Sequence, residues 1–128
     1  MIVYRLEQRL TGEGPFTSSN YGGCHVEQHD PPCSYDLIGE EFERMNGLLM
    51  SGAFFGWTTI EKMNWFIRGG WRHLQQLDYI IVEIEVAEKN TFVFHDGQVI
   101  FTKFTRKQQW TPREFCKMHD EIKFGSVA

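Results

Sequence analysis

Phe54–Phe66 reads FFGWTTIEKMNWF, and this stretch decides the fold because it turns from an apolar, strand-like run into a helix across two threonines. Thr58 and Glu61 have the spacing of a capping box, in which two side chains satisfy free backbone N–H groups at the start of a helix. The pattern predicts a strand over Ala53–Trp57 and a helix over Thr59–Arg68. A hydroxyl-rich corner of this kind is a place where a small domain can hold a ligand.

Strands are predicted on both sides of this corner. Ile2–Glu7 alternates apolar and polar residues, which places Val3, Arg5 and Glu7 on one face of a strand. Tyr79–Val86 is the clearest strand in the chain, because its apolar residues alternate with two glutamates.

A hairpin is predicted after the Tyr79–Val86 strand. Asp96-Gly97 separates two strand-like runs, Thr91–His95 and Gln98–Phe104. A two-residue Asp-Gly loop between such runs is a strong hairpin signal. It would place His95 opposite Gln98 and Phe94 opposite Val99.

Three further helices complete the predicted order of elements. They run from a Ser34 cap to about Met50 with an apolar stripe, over Trp71–Leu77, and from a Thr111–Glu114 capping box to about Ile122. The expected stripe of the first of these consists of Ile38, Phe42, Met45 and Leu49. A long loop fills about residues 11–34. We therefore predict an α+β fold, a twisted mixed or antiparallel sheet with three to four helices.

Composition limits the classes of function. At 128 residues the chain is expected to form one domain, 1–128, and its 15% of aromatic residues favours a well-packed core. The formal charge is −4. Since a protein that mainly grips phosphate backbone carries a basic excess, we expect no general nucleic-acid binding, although a local basic patch stays compatible with the composition.

The sequence also gives an expectation about compartment. Met1–Leu10 has the pattern of a strand rather than of a signal peptide, and no apolar run approaches the roughly 20 residues that span a bilayer. The chain has three cysteines, an odd number that argues against a disulfide framework. We expect a cytoplasmic protein with no membrane partner.

The chain resembles the ADP-ribosyltransferase-like fold in a combination of four stretches. These are VYR on the first strand, FFGWTTIEKMNWF at the corner, YIIVEIEV, and the late QVIF. The resemblance implies NAD as a cofactor, with Arg5 and Thr58 holding the dinucleotide and Trp65 stacking on the nicotinamide. Gln98 aligns with the glutamate that stabilises the ribosyl cation in that family. Gln98 is neutral, however, and such a cation needs an anion nearby. Glu83, Glu85 and Asp96 are the carboxylates that could replace it.

Each of these residues also has a plain structural interpretation. Arg5 can pair with Glu7 or Glu83 on the sheet, and Thr58 can serve only as a helix cap. Trp65 points away from the apolar side of its helix, so its ring needs a ligand, a second surface or a protein neighbour, either Trp71 or the long loop.

A zinc site is a further hypothesis. The long loop would supply two ligands, Cys33 and either Cys24 or His29. The last helix would supply the other two, Cys116 and His119, which lie three residues apart on one face. No Cys-x-x-Cys pair is present, and the alternative is buried thiols with exposed loop histidines.

Three functions follow as hypotheses. The opening YRLEQRLTGEGPF is similar to short phage proteins, which favours an accessory protein that inhibits a host defence protein complex by binding, an anti-CRISPR protein being one candidate. In that case the compartment is the cytoplasm of the host cell. The alternative is an active ADP-ribosyltransferase that uses NAD to modify a host macromolecule. A third option is a structural or assembly component.

Overall fold

The computed structural model describes residues 1–14 and 39–124, with side chains described as far as Asp120. Six strands and four α-helices lie in these two ranges. In chain order they are β1 Ile2–Gln8, α1 Gly39–Met50, β2 Phe54–Trp57, α2 Ile60–Arg68, α3 Trp71–Gln76, β3 Tyr79–Glu85, β4 Thr91–Val93, β5 Gln98–Phe101, β6 Thr105–Trp110 and α4 Pro112–Phe124. The predicted α+β class is confirmed.

The strands form one antiparallel sheet in the order β4-β5-β2-β1-β3-β6. The strand β1 lies near the middle and pairs with β3 along its whole length, from Ile2 opposite Glu85 to Gln8 opposite Tyr79. Residues close to the amino terminus therefore form the centre of the sheet. Both faces of β1 are buried, whereas its alternating pattern is typical of a strand with one exposed face, because the charged residues Arg5 and Glu7 are buried as well.

The two faces of the sheet have separate cores. Tyr4 and Leu6 project from β1 towards the helices α2, α3 and α4, in a cluster with Trp57, Met63, Phe66, Ile67, Leu74, Ile81 and Phe115. On the same side, α1 packs through Met45 against Phe92 and Ile100 of the β4–β5 hairpin. Val3 lies on the opposite face, in a cluster with Ile80, Val82, Ile84, Val86, Val99 and Phe101. We name these two sides the helical face and the opposite face.

A close approach of strands fixes the corner relative to β1. A Cβ atom added to Gly56 would lie 2.6 Å from both the Tyr4 carbonyl oxygen and Val3 Cγ1. Only a residue without a side chain lets β2 pair so closely with β1 at this point.

Several predicted boundaries are confirmed and others are wrong. The Thr111–Glu114 capping box is present, with both reciprocal hydrogen bonds at 3.1 Å, and α4 runs two residues beyond the predicted end. The apolar stripe of α1 is wrong in part, because Met45 is buried while Phe42 and Leu49 are exposed. The predicted cap Ser34, Ile38 and the loop beyond residue 14 lie outside the described residues.

The strand β6 was not predicted, and the predicted strand Gln98–Phe104 was too long. The chain instead leaves β5 after Phe101 and returns as an edge strand beside β3. Lys103, in the turn between β5 and β6, has a φ of 54°. Among the described helices, none combines the length and the apolar character needed to cross a membrane.

Candidate ligand-binding site

The corner between β2 and α2 is built differently from the prediction. Thr59 is the N-cap of α2, with its Oγ1 accepting a hydrogen bond from the Lys62 N–H at 3.1 Å. The predicted capping by Thr58 and Glu61 is therefore wrong by one residue. Thr58 instead donates from its N–H and its hydroxyl to the Gly97 carbonyl, at 3.1 and 3.2 Å. These bonds join the corner to the hairpin loop, so the two threonines have different roles.

The hairpin register also differs by one residue. Val93 pairs with Val99, so Phe94 lies opposite Gln98 rather than opposite Val99. His95 consequently belongs to the loop and has no partner across the hairpin ladder. The loop has three residues instead of the predicted two.

Loop residues fix Gln98 at the start of β5. Gly97 has a φ of 90°, and its N–H donates to the Phe94 carbonyl at 3.1 Å, which is the usual arrangement for a three-residue loop. The Asp96 carboxylate accepts from the Gln98 backbone N–H at 2.9 Å and from Gln98 Nε2 at 2.7 Å. Of the carboxylates proposed to replace the missing glutamate, Asp96 is thus the one in contact with Gln98.

A row of side chains crosses the helical face at this corner. Tyr4 lies opposite Trp57, and Trp57 lies opposite Gln98. Trp65 of α2 meets the Trp57 ring edge-on, with the ring centroids 5.9 Å apart. The placement of Trp65 away from the apolar side of α2 is confirmed, since its side chain is 57% exposed. The structure therefore brings Thr58, Trp65 and Gln98 together, and we name these three residues with Trp57 and Asp96 the corner cluster.

Tyr4 lies at the β1 end of this row of side chains. Its hydroxyl donates to Glu83 Oε1 at 3.2 Å, while Gln108 donates to the other oxygen of Glu83. Burial, followed by the negative charge of Glu83, raises the pKa of Tyr4 to about 12. The phenol is therefore a neutral hydrogen-bond donor at physiological pH.

Arg5 does not join the corner cluster. Its guanidinium donates from Nε to Glu7 Oε2 at 3.1 Å and to the carbonyl oxygens of Gly12 and Phe55 at 2.8 and 3.3 Å. It also lies over the Phe54 ring, 4.7 Å from the centroid. With only 3% of Arg5 exposed, burial lowers the pKa of the guanidinium despite Glu7. A cavity of about 340 Å³ adjoins Arg5, but the donors that would grip an anion are largely used within the protein.

Arg5 and Trp65 lie on different sides of the sheet. Arg5 is paired with Val82 and so projects from the opposite face, whereas Trp65 sits over Trp57 on the helical face. The expectation that Arg5 and Trp65 hold one dinucleotide together is thus at odds with the geometry. Alternation along β1 is the reason: Arg5 follows Tyr4, and adjacent strand residues point in opposite directions.

The zinc hypothesis concerns residues that are only partly described. Cys24, His29 and Cys33 lie outside the described residues. Cys116 and His119 are both buried on α4, and burial raises the pKa of the Cys116 thiol. His119 Nδ1 has no hydrogen-bond partner within the described ranges. Residues 1–14 and 39–124 hold no group of three or more candidate metal ligands, so zinc stays a prediction.

A second concave surface was missed by the sequence reasoning. Arg68, Arg72, Arg113 and Lys117 line a groove of about 540 Å³ among α2, α3 and α4, together with Trp71, Cys116 and Asp120. We name it the basic groove. A signal for it existed in the sequence, because Arg113 and Lys117 are four residues apart at the start of a strongly predicted helix and so share one face.

Comparison with known proteins identifies one family. A family model described as bacteriophage T4 Y00F protein matches residues 1–112. No curated protein and no solved structure matches the chain. The predicted similarity to phage proteins is thereby confirmed at the level of the family, whereas the resemblance to ADP-ribosyltransferases stays a prediction.

Proposed function

The chain belongs to the bacteriophage T4 Y00F protein family, and from this membership we propose that it is a phage accessory protein that inhibits a host defence protein by direct binding. One observation carries the proposal: Trp65 presents more than half of its surface to solvent from a rigid position on α2. Tryptophan is among the residues that most often dominate the energy of a protein interface.

The surroundings of Trp65 support a binding role. Trp57, which is buried, braces the indole edge-on, so little side-chain freedom remains to be lost when a partner covers it. Glu61 and Lys62, one turn earlier on α2, are exposed beside it. An aromatic anchor with charged neighbours is the usual arrangement of an interface core and rim.

The test is a binding measurement with matched variants. A tagged protein is used to isolate a stoichiometric complex from infected host cells, and the partner is then purified and titrated against the wild type and Trp65→Ala. We expect Trp65→Ala to weaken binding by about 30-fold, the effect of a hot-spot loss of about 2 kcal/mol. Met50→Ala is the control, because Met50 is also highly exposed but lies on α1. Equal affinities for the wild type and Trp65→Ala would contradict the proposal.

A second candidate function is favoured by the corner cluster. Thr58, Trp65 and Gln98 lie together, and Asp96 places a carboxylate against Gln98. This arrangement supports an alternative in which NAD binds at the corner and ADP-ribose is transferred to a host macromolecule, with Asp96 supplying the anion. Arg5 takes no part in this version, because it lies on the opposite face.

The two candidates are separated by NAD itself. If the corner binds NAD, the dinucleotide must raise the melting temperature, since a ligand specific for the folded state stabilises it. Release of nicotinamide should then be lost in Asp96→Asn and kept in Asp78→Asn, whose carboxylate pairs with Arg9 on the surface. An unchanged melting temperature with NAD, together with a stable complex, leaves direct binding as the function.

A further inference from the structure

The basic groove carries a ligand chemistry of its own. We infer that it binds a short segment of single-stranded nucleic acid, with phosphates on its cations and a base against its aromatic side chain. This inference goes beyond the proposed function, because it assigns a different class of ligand to a different surface.

Charge is the first argument. Although the chain carries a formal charge of −4, the groove contains four cations and a single carboxylate, Asp120. Asp120 accepts a hydrogen bond from Arg68 at 2.6 Å, so this pair is already neutralised. Within the described residues Arg72, Arg113 and Lys117 have no carboxylate partner. Three uncompensated cations in one concavity favour an anionic ligand with several charges.

The helices hold these cations in place. Arg113 is the second residue of α4, and its backbone N–H donates to Gln75 Oε1 of α3 at 3.1 Å. This bond fixes the start of α4 against the helix that carries Arg72. Lys117 follows one turn after Arg113 on the same side of α4. The positive charge therefore belongs to a preformed surface.

An aromatic group distinguishes nucleic acid from an acidic polypeptide. Trp71, half-buried, lines the groove, and the Arg72 guanidinium lies over its ring, 5.2 Å from the centroid. Indole and guanidinium planes are the groups on which unpaired bases stack. An acidic peptide would use the cations and leave the ring without a role. The volume of about 540 Å³ suits a ligand about the size of a nucleotide.

The remaining groove residue adds no opposing charge. Burial raises the pKa of the Cys116 thiol, so the sulfur beside the cations is neutral. The groove thus combines cations, a stacking surface and a neutral wall.

The experiment measures binding of a labelled oligothymidylate of about 12 nucleotides by fluorescence anisotropy. We expect the logarithm of affinity to fall with the logarithm of salt concentration with a slope of about −2, because each of three neutralised phosphates contributes about −0.7. The intrinsic fluorescence of the four tryptophans should be partly quenched on binding, and Trp71→Leu should remove that quenching and weaken binding about ten-fold.

Charge-reversal variants locate the site. Arg113→Glu with Lys117→Glu should weaken binding at least ten-fold and reduce the salt slope to about −0.7, the value for one phosphate. Arg113 lies in the first turn of α4, where glutamate is tolerated, and glutamate is a good helix former at Lys117 in the second turn, so α4 should still form. Arg72→Gln serves as a second variant, in case the double substitution lowers the melting temperature. The matched control is Lys89→Glu, which is compared with the single variant Arg113→Glu. Each of these substitutions changes the net charge equally, but Lys89 lies outside the groove.

Four results would overturn the inference. Polyglutamate that binds as tightly as the oligonucleotide, and at the same variants, would make the groove a site for acidic protein. Duplex DNA of equal affinity would remove the role of stacking. Oligonucleotide binding that is absent, or that falls equally in Lys89→Glu and Arg113→Glu, would show that the groove has no specific part in it.

Discussion

Arg5 and Glu7 form a buried ion pair on the opposite face of the sheet, with Nε of Arg5 donating to Oε2 of Glu7 at 3.1 Å. Side-chain exposure is 3% for Arg5 and 4% for Glu7. The second oxygen of Glu7 accepts from Arg106 of the edge strand β6. Glu7 therefore links the central strand to the edge strand, and it neutralises a guanidinium that is otherwise surrounded by backbone carbonyls and the Phe54 ring.

Removing the charge of Glu7 should destabilise the fold. We expect Glu7→Gln to lower the free energy of unfolding by about 3 kcal/mol, because it leaves a buried positive charge without its counter-ion. Urea denaturation measures this change. Glu85→Gln is the control, since Glu85 pairs with Lys107 at the surface, and its effect should be much smaller. Similar losses of unfolding free energy in the two variants would mean that the buried pair contributes no more to stability than the exposed pair.

Gly56 and Gly47 should respond to alanine with opposite signs. The Cβ atom of Gly56→Ala meets the Tyr4 carbonyl at 2.6 Å, so we expect a loss of about 2 kcal/mol. Nothing lies within 4 Å of the Cβ position at Gly47, inside α1, and alanine there should stabilise the protein by up to about 1 kcal/mol. Thermal or urea unfolding of both variants is the check, and a neutral Gly56→Ala would refute the close approach of β1 and β2.

The helix cap can be assigned by substitution. Thr59→Ala should cost about 1 kcal/mol of stability, because the Lys62 N–H loses its acceptor, and Thr59→Ser should restore most of it. Hydrogen exchange at the Lys62 amide should be faster in the alanine variant alone. If Thr58→Ala rather than Thr59→Ala lowered the stability, with faster exchange at the Glu61 amide, the cap would be the residue that the sequence pattern first indicated.

Tyr4 should make the protein sensitive to alkaline pH. Its pKa is about 12 in the folded protein and 10.0 ordinarily, so folding favours the neutral phenol. The stabilisation is complete below pH 10 and is lost as pH rises from 10 through 12, because the unfolded chain releases its proton first. Tyr4→Phe should therefore lose less stability than the wild type over this range. Equal slopes of unfolding free energy against pH would contradict the raised pKa of Tyr4.

Local patterns predicted much of the fold because local physics determines those parts. Alternation in β1, the Thr111 capping box and the outward position of Trp65 each depend on residues close in sequence. The strand β6 has no such pattern, since TRKQQW is exposed along almost its whole length at the sheet edge. It forms because β3 offers a free row of backbone groups, which no window of sequence can reveal.

The site was less predictable because it depends on distant contacts. Thr58 does not cap α2, because its hydroxyl donates instead to the carbonyl oxygen of Gly97 in the β4–β5 hairpin. The sequence offered Glu7 and Glu83 as alternative partners of Arg5, and the structure shows Glu7. Glu83 projects from the helical face and accepts a hydrogen bond from Tyr4 instead. The basic groove needs three helices to come together, so Arg68 and Arg72 look unrelated in the sequence to the Arg113–Lys117 pair.

The central place of β1 has a consequence for how the protein is made. Its main partner β3 ends at Glu85, so β1 can pair along its whole length only after the ribosome has passed Glu85, although β2 can pair with it earlier, at Tyr4 and Trp57. Until then one long edge of β1 stays open, a state that invites association with other nascent chains. A chaperone that covers this edge during synthesis should therefore raise the yield of folded protein.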